Sequence, residues 1–320
     1  MSSAMADTTL LVGTDQGVYR TPIDDVADSR RVLASDTVLR VRRFDDVVFA
    51  TTRSGLFRSR DNGETWTDLN VPRCEVYSVA LSPDGECLYA GTHPAHLYVS
   101  ADGGCSWREL SGFQDVPSRG MWHTPRHRNE AHVRSISVHP EVPDRVVAGV
   151  EVGGVLVSDD RGKSFEERRA TLQTERTDDL QYDVHHVLAL SGDEFLISCG
   201  GGLFRIRNAG GSWTRLDDHN HPYFRESFSH GGRLYAAATR GPWNSTMDAM
   251  LFEATDDGDP LEAVSYPGAG DEFVLSWAAS DSADGDVFAG THTGSVLRRV
   301  NDEWKSVGNV PGRCQSLALV

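Results

Sequence analysis

The sequence has little lysine and no long apolar run, and each shortage argues against a class of protein. Lys163 and Lys305 are the only lysines among its 31 basic residues, against 47 acidic residues, which gives a formal net charge of −16. A nucleic-acid binder needs lysine and arginine to neutralise phosphates, so this charge balance argues against one. No stretch approaches the roughly 18 apolar residues of a membrane-spanning helix, and no membrane span is predicted.

An excess of acid with so little lysine suits a cytoplasm of high salt, because the Debye length falls to about 3 Å at 1 M. The composition favours a halophilic protein with an acidic surface, although a GC-rich genome also exchanges lysine for arginine. The opening MSSAMADTTLLVG has neither the basic nor the apolar region of a secretory signal, so we expect a cytoplasmic protein.

The cysteines are few, odd in number and widely spaced, and none forms a C-x-x-C pair. This pattern supports neither a disulfide framework nor a structural zinc site. We expect reduced and mostly buried thiols. The five are Cys74, Cys87, Cys105, Cys199 and Cys314.

One sequence unit recurs along the chain, and it predicts an all-β protein. Residues 76–110 contain the whole unit: VYSVALS, the turn PDGE, CLYAGT, HLYVSADGG and SWREL. Each piece is an apolar or alternating run of four to eight residues bounded by Gly, Pro, Asp or Ser, which is typical of short antiparallel strands. Four strands per unit at a blade-like period predict a β-propeller.

The number of units predicts seven blades. Segments TLLVGT, GVYRTPI and RRVLAS at the start provide three strands, and CQSLALV at the end provides the missing inner strand. Pairing these ends closes the ring and removes the exposed sheet edges. We therefore predict one seven-bladed propeller over 9–320 after a disordered 1–8, with six blades as the alternative. The complete units are 38–69, 76–110, 133–168, 184–216, 223–266 and 273–307.

A turn motif of the form S-x-D-x-G-x-[ST]-[WF] occurs between the third and fourth strands of three units. The acid and serine side chains accept backbone N–H groups, the glycine permits an unusual backbone conformation and the aromatic ring packs between sheets. We interpret these residues as structural, with calcium binding as the alternative. They are Asp61, Gly63, Trp66, Asp102, Gly104, Trp107, Asp160, Gly162 and Phe165.

These turns make the chain resemble the Asp-box (BNR) repeat propellers over essentially 9–320. That family includes sialidases and other glycosidases, sortilin-type receptors, photosystem II assembly factors and uncharacterised glycosyl hydrolase-like proteins. The segment from HVRSISVHPEVPDRVVAGVEVGG to YDVHHVLAL is similar to the uncharacterised proteins of bacteria and haloarchaea. The resemblance implies the fold and leaves the chemistry open.

Polar residues concentrate where inner strands begin and where the loops between second and third strands lie, at one mouth of the predicted channel. The long segments 111–131 and 169–183 would stand over the same face, and long loops in compact domains are often functional. We predict a pocket there for a polar or anionic small molecule or a protein segment. Its candidate residues are Arg42, Arg53, His93, His132, Arg134, Glu151, His185, His186, Arg225, Trp243, Trp277 and His292.

The same residues raise the question of a divalent metal. His132, His185 and Glu151 are the candidate ligands, because imidazole and carboxylate suit zinc, iron or manganese. No H-E-x-x-H or H-x-H spacing supports such a site. His185 and His186 are adjacent on a predicted strand, so only one of them can face the channel.

Two functions from different classes remain open at this stage. One is a propeller that binds a ligand or partner without catalysis. The other is a glycosidase-like hydrolase or lyase, metal-assisted or not, that acts on a glycan or an anionic small molecule. A sialidase-type reaction would need a tyrosine nucleophile, an acid and an arginine cluster, yet the F/Y-R-I-P segment of those enzymes is missing. The candidate catalytic residues are Glu151, His185, Glu226 and Tyr223, with Tyr182 as a second tyrosine.

Overall fold

The computed structural model describes residues 9–124, 127–168, 183–190, 193–207, 212–242, 247–255 and 261–320. These residues form seven antiparallel sheets of four strands each. The inner strand of each sheet contacts the inner strands of the two neighbouring sheets, so the seven sheets close into a ring. The predicted seven-bladed propeller is confirmed. The prediction of disorder for 1–8 lies outside the described residues.

The strands are numbered in chain order, and each blade is given from its inner to its outer strand. Blade one consists of β28 (Ser316–Leu319), β1 (Thr9–Thr14), β2 (Gly17–Pro22) and β3 (Arg30–Ala34). Blade two consists of β4 (Val38–Phe44), β5 (Val47–Thr52), β6 (Leu56–Ser59) and β7 (Thr67–Asp68). Blade three consists of β8 (Val76–Leu81), β9 (Leu88–Thr92), β10 (Leu97–Ser100) and β11 (Arg108–Glu109).

The remaining blades follow the same plan. Blade four consists of β12 (Val133–Val138), β13 (Val146–Val150), β14 (Gly154–Ser158) and β15 (Glu166–Arg168). Blade five consists of β16 (Val184–Ala189), β17 (Phe195–Cys199), β18 (Gly202–Arg207) and β19 (Ser212–Arg215). Blade six consists of β20 (Tyr223–His230), β21 (Arg233–Thr239), β22 (Met250–Thr255) and β23 (Glu262–Val264). Blade seven consists of β24 (Val274–Ala279), β25 (Val287–Thr291), β26 (Ser295–Val300) and β27 (Glu303–Asn309).

Blade one joins the two ends of the chain. Strand β28 pairs antiparallel with β1, and Leu10 lies opposite Leu319 while Gly13 lies opposite Ser316. Two further backbone hydrogen bonds link Thr9 to Val320. The predicted closure is confirmed, and it leaves no unpaired edge at the seam of the inner ring.

The core lies between neighbouring sheets rather than inside any one of them. Phe49 of blade two packs in one cluster with Leu88 of blade three, and Leu196 of blade five packs with Phe224 of blade six. Both faces of the inner strands are covered, which explains why they read as apolar runs instead of alternating patterns.

The three turns with the S-x-D motif share one hydrogen-bond pattern. In the first, Asp61 Oδ1 accepts the backbone N–H of Thr65 at 2.9 Å, and Ser59 Oγ accepts that of Gly63 at 2.8 Å. Asp102 and Asp160 make the equivalent contacts with Ser106 and Ser164. The acid therefore fastens the start of the fourth strand to the end of the third.

The glycine of each turn contacts the preceding blade. Gly63 has φ +83°, and a Cβ there would lie 2.6 Å from Leu11 Cδ2. A Cβ on Gly104 would clash in the same way with Leu69, and a Cβ on Gly162 with Leu110. These positions need glycine for two reasons, a left-handed backbone and close packing between blades.

Among the described residues, helix is confined to the segment between blades three and four, which contains α1 (Ser111–Gln114) and a 3₁₀ helix (Arg119–Met121). No helix in the described part of the chain is long and apolar enough to span a membrane. All five cysteines are free; Cys87, Cys199 and Cys314 are buried, whereas Cys74 and Cys105 are exposed.

Candidate functional site

The inner strands carry a bulge near their beginning in blades two to seven. In β12 the register passes from Val133 directly to Ser135, which leaves Arg134 without a partner on β13. A bulge redirects a side chain, and bulges are frequent at the rims of barrels and beside active sites. The single bulged residues elsewhere are Leu39, Tyr77, His185 and Leu275, and in blade six Arg225 and Glu226 are bulged together.

An arc of polar bulged residues lies at the rim where the inner strands begin, here called the upper rim; it consists of Tyr77, Arg134, His185 and Arg225. Arg134 lies over the ring of Tyr77, with Cζ 5.9 Å from the ring centroid. Farther along, the ring of His185 contacts that of Tyr223 at 4.9 Å, and Arg225 Nη1 donates to Tyr223 Oη at 3.2 Å. Of the predicted residues, Arg134, His185, Tyr223 and Arg225 lie along this arc.

Glu151 connects the blade-four part of this arc. Its Oε2 lies 2.9 Å from His132 Nε2 and 3.7 Å from Arg134 Nε. Burial lowers the pKa of His132 to about 4, so the imidazole is neutral at pH 7. Burial opposes ionisation of Glu151, but His132 and Arg134 outweigh it and hold the pKa of that carboxyl well below its usual range.

Asp183 provides a second carboxylate next to the first. It forms an isolated antiparallel bridge with Glu151, between blades four and five. Asp183 Oδ2 lies 3.3 Å from His185 Nε2, and His185 Nδ1 lies 2.5 Å from the backbone oxygen of Phe224. Both nitrogens of His185 therefore have polar contacts within the protein. Burial opposes a low pKa for Asp183, but His185 outweighs it and lowers the pKa.

A group of rings packs on the blade-three side of Glu151. His127, from the segment between blades three and four, lies 5.0 Å from the ring of His132, and Tyr77 lies 4.2 Å from it. His93 lies 5.7 Å from His132, and its Nδ1 contacts Glu75 Oε2. Burial lowers the pKa of His127 as well.

Below the upper rim, the next inner-strand position forms a layer around the channel, here called the serine layer. In each blade this position lies two residues after a buried residue near the start of the inner strand, and in four blades it is a serine. Ser78 Oγ donates to Val133 O of the next blade at 2.8 Å, and Ser316 Oγ accepts from Val41 N at 2.9 Å. The layer consists of Ser316, Arg40, Ser78, Ser135, His186, Glu226 and Ser276.

The three residues of the serine layer that are not serine are the ionisable Arg40, His186 and Glu226. Glu226 is buried and accepts from Arg42 Nη2 at 2.8 Å, while His186 Nε2 lies 4.0 Å from the same oxygen. Burial lowers the pKa of His186 to about 3 and that of Arg40 to about 9; Arg134 also lowers the latter. Burial opposes ionisation of Glu226, but Arg42, His186 and Arg40 outweigh it and lower its pKa.

Arg40 and Arg225 differ from the other arginines of the channel. Arg40 is 9% exposed, and its guanidinium donates to the backbone oxygen of Leu39 at 3.0 Å. Within the described ranges, neither Arg40 nor Arg225 has a carboxylate oxygen within 4.0 Å of its guanidinium nitrogens. The two cations have no acidic partner at contact distance, although the chain carries an excess of acid.

A cavity of about 640 Å³ opens at the other end of the channel. Asp45, Asp46 and Asp281 line its outer part, where inner strands end. Four of its lining residues were predicted at the upper rim instead, and the structure corrects their placement. Arg42, for example, stands four residues after Val38, which is about 13 Å along the strand at 3.3 Å per residue. The residues predicted at the upper rim but found along this cavity are Arg42, His186, Glu226 and Trp277.

The other predicted residues do not form part of the polar arc. His292 stacks on Phe273 at 4.9 Å, and its Nδ1 accepts the backbone N–H of that residue at 3.2 Å. Arg53 is exposed at the upper rim. Trp243 and Tyr182 lie outside the described residues, as does the segment 169–182.

Five contributors were not predicted: Arg40, Glu75, Tyr77, His127 and Asp183. Arg40 could have been found by aligning the units, because it interrupts a column of serines. Asp183 precedes its inner strand in the same way as His132 does, so the same alignment would have found it. His127 could not have been found in this way, because it belongs to a segment without a counterpart in other blades.

The chain is similar to seven-bladed propellers of several functions. A xyloglucanase of the GH74 family from Xanthomonas campestris superimposes with a TM-score of 0.67 and 16% identity over 99% of this chain and 52% of its own. The structure of YCF48 bound to a D1 peptide superimposes with a TM-score of 0.58 and 14% identity over 95% of this chain and 85% of its own. At these identities the likeness shows the fold alone.

Sequence comparison gives a more local match. A xyloglucanase from Hypocrea jecorina (strain QM6a) is 38% identical over 77 residues, which is 22% of this chain and 9% of that protein. No protein-family model matches the chain. The chain spans about half of the Xanthomonas structure and a small part of the Hypocrea enzyme.

Proposed function

We propose that the propeller binds a small anionic ligand, one that carries a carboxylate, phosphate or sulfate group, in the upper part of its central channel. The observation that carries the proposal is the pair of guanidinium groups of Arg40 and Arg225, which have no carboxylate at contact distance in the described part of the chain. Arg40 in particular is a buried cation without a carboxylate partner among the described residues, which is costly, and a bound anion removes that cost.

The surrounding residues suit an anion rather than a neutral ligand. Burial lowers the pKa of Arg40 most; Arg134, Arg42 and Arg225 lie close enough to lower it further, and Glu226 opposes them. Glu226 and Glu151 each lie against one of these cations, Arg42 and Arg134. Guanidinium groups bind oxyanions in bidentate geometry, so Arg40 and Arg225 would provide the direct contacts.

The test is a titration of the full chain with phosphate, sulfate, citrate and acetate by isothermal calorimetry. We expect saturable binding of at least one multivalent anion, weakened at least tenfold in Arg225→Gln. Arg30→Gln is the matched control, because Arg30 is an exposed arginine paired with Glu64 at 2.7 Å. Absence of binding by all four anions, or equal binding by Arg225→Gln, would overturn the proposal.

A second candidate function is hydrolysis of a glycan, and a specific observation favours it. Glu151 and Asp183 are two carboxylates on bridged residues at the rim, and glycosidases use a pair of carboxylates as acid and base or nucleophile. The local similarity to a xyloglucanase supports the same direction. Release of reducing sugar from xyloglucan, abolished in both Glu151→Gln and Asp183→Asn, would establish it; the same inactivity in all three proteins would exclude it for that substrate.

The S-x-D turns support the finer assignment to the Asp-box class of propellers, because all three use the acid, serine and glycine in the same roles. Those contacts occupy the acids with backbone and hydroxyl donors. We therefore assign Asp61, Asp102 and Asp160 to architecture and not to ligand binding.

A further inference from the structure

We propose that His127, His132 and Glu151 form a binding site for one divalent transition-metal ion, of which Zn²⁺ is the expected occupant. One nitrogen of each imidazole and one carboxylate oxygen lie within 4.8 Å of one another. The site replaces the predicted set of His132, His185 and Glu151. His185 is directed to Asp183 and to the backbone of Phe224 instead.

The donor set selects the class of ion. Two imidazoles and one carboxylate are a known ligand set for zinc, in which the fourth position stays open for water or substrate. Imidazole nitrogen favours zinc, cobalt, nickel and copper over calcium and magnesium, which prefer oxygen ligands. The site is therefore expected to discriminate against Ca²⁺ and Mg²⁺.

The state of His132 is the second observation that points to a ligand. Its side chain is fully buried, and among the described residues neither ring nitrogen has a hydrogen-bond partner of good geometry. Nε2 approaches Glu151 Oε2 to 2.9 Å without the alignment of a hydrogen bond. Two ligands on one tetrahedral ion with bonds of about 2.0–2.1 Å lie about 3.3 Å apart, close to this spacing.

The segment that carries His127 is held on both sides of that residue, by blade four before it and by blade three after it. Thr124 Oγ1 donates to the backbone oxygen of Glu151 at 3.1 Å, and Ala95 N donates to Ala131 O at 2.8 Å. His127 is thereby held beside Glu151, and a movement of about an ångström would complete coordination at the bond lengths of zinc.

One neighbour opposes a cation. Arg134 Nε lies 3.7 Å from the same carboxylate oxygen of Glu151. Arg134→Gln should therefore bind Zn²⁺ several-fold more tightly than the natural protein. Arg134 belongs to the arginine group proposed to hold the anion, so the same variant should bind anions more weakly. The two effects have opposite signs, and this separates a failure of the metal site from a failure of the anion site.

The experiment is a calorimetric titration of chelator-treated full-length protein with ZnCl₂, and separately with CaCl₂ and MgCl₂. We expect one Zn²⁺ per chain and no comparable binding of the other two ions. His127→Ala should weaken binding at least tenfold, because it removes one ligand. His123→Ala is the matched control: it lies on the same segment, with Nδ1 3.2 Å from Met121 O, and should bind as the natural protein does.

Folding of the variants is checked by circular dichroism and thermal unfolding. His132 is fully buried and its variants can fail to fold, so the decision rests on His127→Ala and on Glu151→Gln. The visible spectrum of the Co²⁺-loaded protein gives a second readout, with the intense bands of tetrahedral coordination expected only when both residues are present. No Zn²⁺ binding by the natural protein, or equal affinity in His127→Ala and Glu151→Gln, would overturn the proposal.

Discussion

Arg42 of blade two and Glu226 of blade six form an ion pair across the central channel, with Nη2 and Oε1 2.8 Å apart. Glu226 is 3% exposed, and it is the acidic member of the serine layer. Because its charge is directed to Arg42, it does not contact Arg40 or Arg225. In the described part of the chain Arg40 and Arg225 are therefore left without a carboxylate at contact distance, in a protein whose net charge is −16.

Glu226→Gln tests this division of charge. The variant keeps the side-chain shape but leaves the half-buried guanidinium of Arg42 without a counter-charge. We expect the free energy of unfolding to fall by about 2 kcal/mol. The affinity for a bound anion should rise several-fold, because a nearby negative charge has been removed. Denaturant unfolding and calorimetry measure the two effects.

The control for that variant is Asp281→Asn, at the end of the channel where the inner strands end. Asp281 pairs with Arg43 at 3.1 Å but is 80% exposed, so its loss should change the free energy of unfolding by less than about 1 kcal/mol and leave anion binding unchanged. Equal destabilisation by the two variants would contradict a special role for Glu226.

Gly63→Ala tests the contact between a turn and the preceding blade. The alanine must adopt a positive φ, and its Cβ would lie 2.6 Å from Leu11 Cδ2. We therefore expect the free energy of unfolding to fall by about 2–3 kcal/mol. Gly85→Ala separates the two causes, because Gly85 has φ +73° but no atom within 4 Å of its Cβ position. It should cost about 1 kcal/mol, from backbone strain alone. A Gly63→Ala protein as stable as Gly85→Ala would show that the packing contact is unimportant.

The turn acids predict a specific dependence of stability on pH. Hydrogen bonds from Thr65 lower the pKa of Asp61 to about 2 in the folded protein, against about 3.9 for an unfolded aspartate. A folded pKa below the unfolded one stabilises the protein above about pH 4, and the contribution is lost as the pH falls towards 2. The difference in unfolding free energy between the natural protein and Asp61→Asn should shrink over that window.

Denaturant titrations at several pH values measure this difference, with the exposed Asp28→Asn as the control. If the difference for Asp61→Asn did not change with pH between 4 and 2, the carboxylate would not be the stabilising form of the turn.

The sequence predicted the ring better than the site, and particular residues show why. TLLVGT has an uncovered edge within the N-terminal segment, and CQSLALV has no partner at the C-terminal end, so pairing Leu10 with Leu319 follows from the need to cover an edge. Strand repeats are local and recur, so each copy supports the others. The association of His132, Arg134 and Glu151 was also predictable, because the start of an inner strand lies beside the end of the second strand.

The remaining site residues depend on features that a single sequence does not display. The bulges that direct Tyr77 and His185 to the rim depend on the twist of each sheet and carry no fixed signature. The path of the segment that brings His127 to Glu151 is set by tertiary contacts, such as the hydrogen bond from Thr124. Arg42 and Trp277 were predicted too close to the upper rim, because the level at which a side chain enters the channel depends on where its strand begins.

Anomalous diffraction from crystals soaked in sodium selenate tests anion binding in the channel most directly. Selenate is a tetrahedral oxyanion, and its selenium can be located without ambiguity. A selenium peak within hydrogen-bond reach of the guanidinium groups of Arg40 and Arg225, absent from Arg225→Gln crystals, is the expected result. An empty channel at saturating selenate, or a peak that persists unchanged in Arg225→Gln, would contradict it.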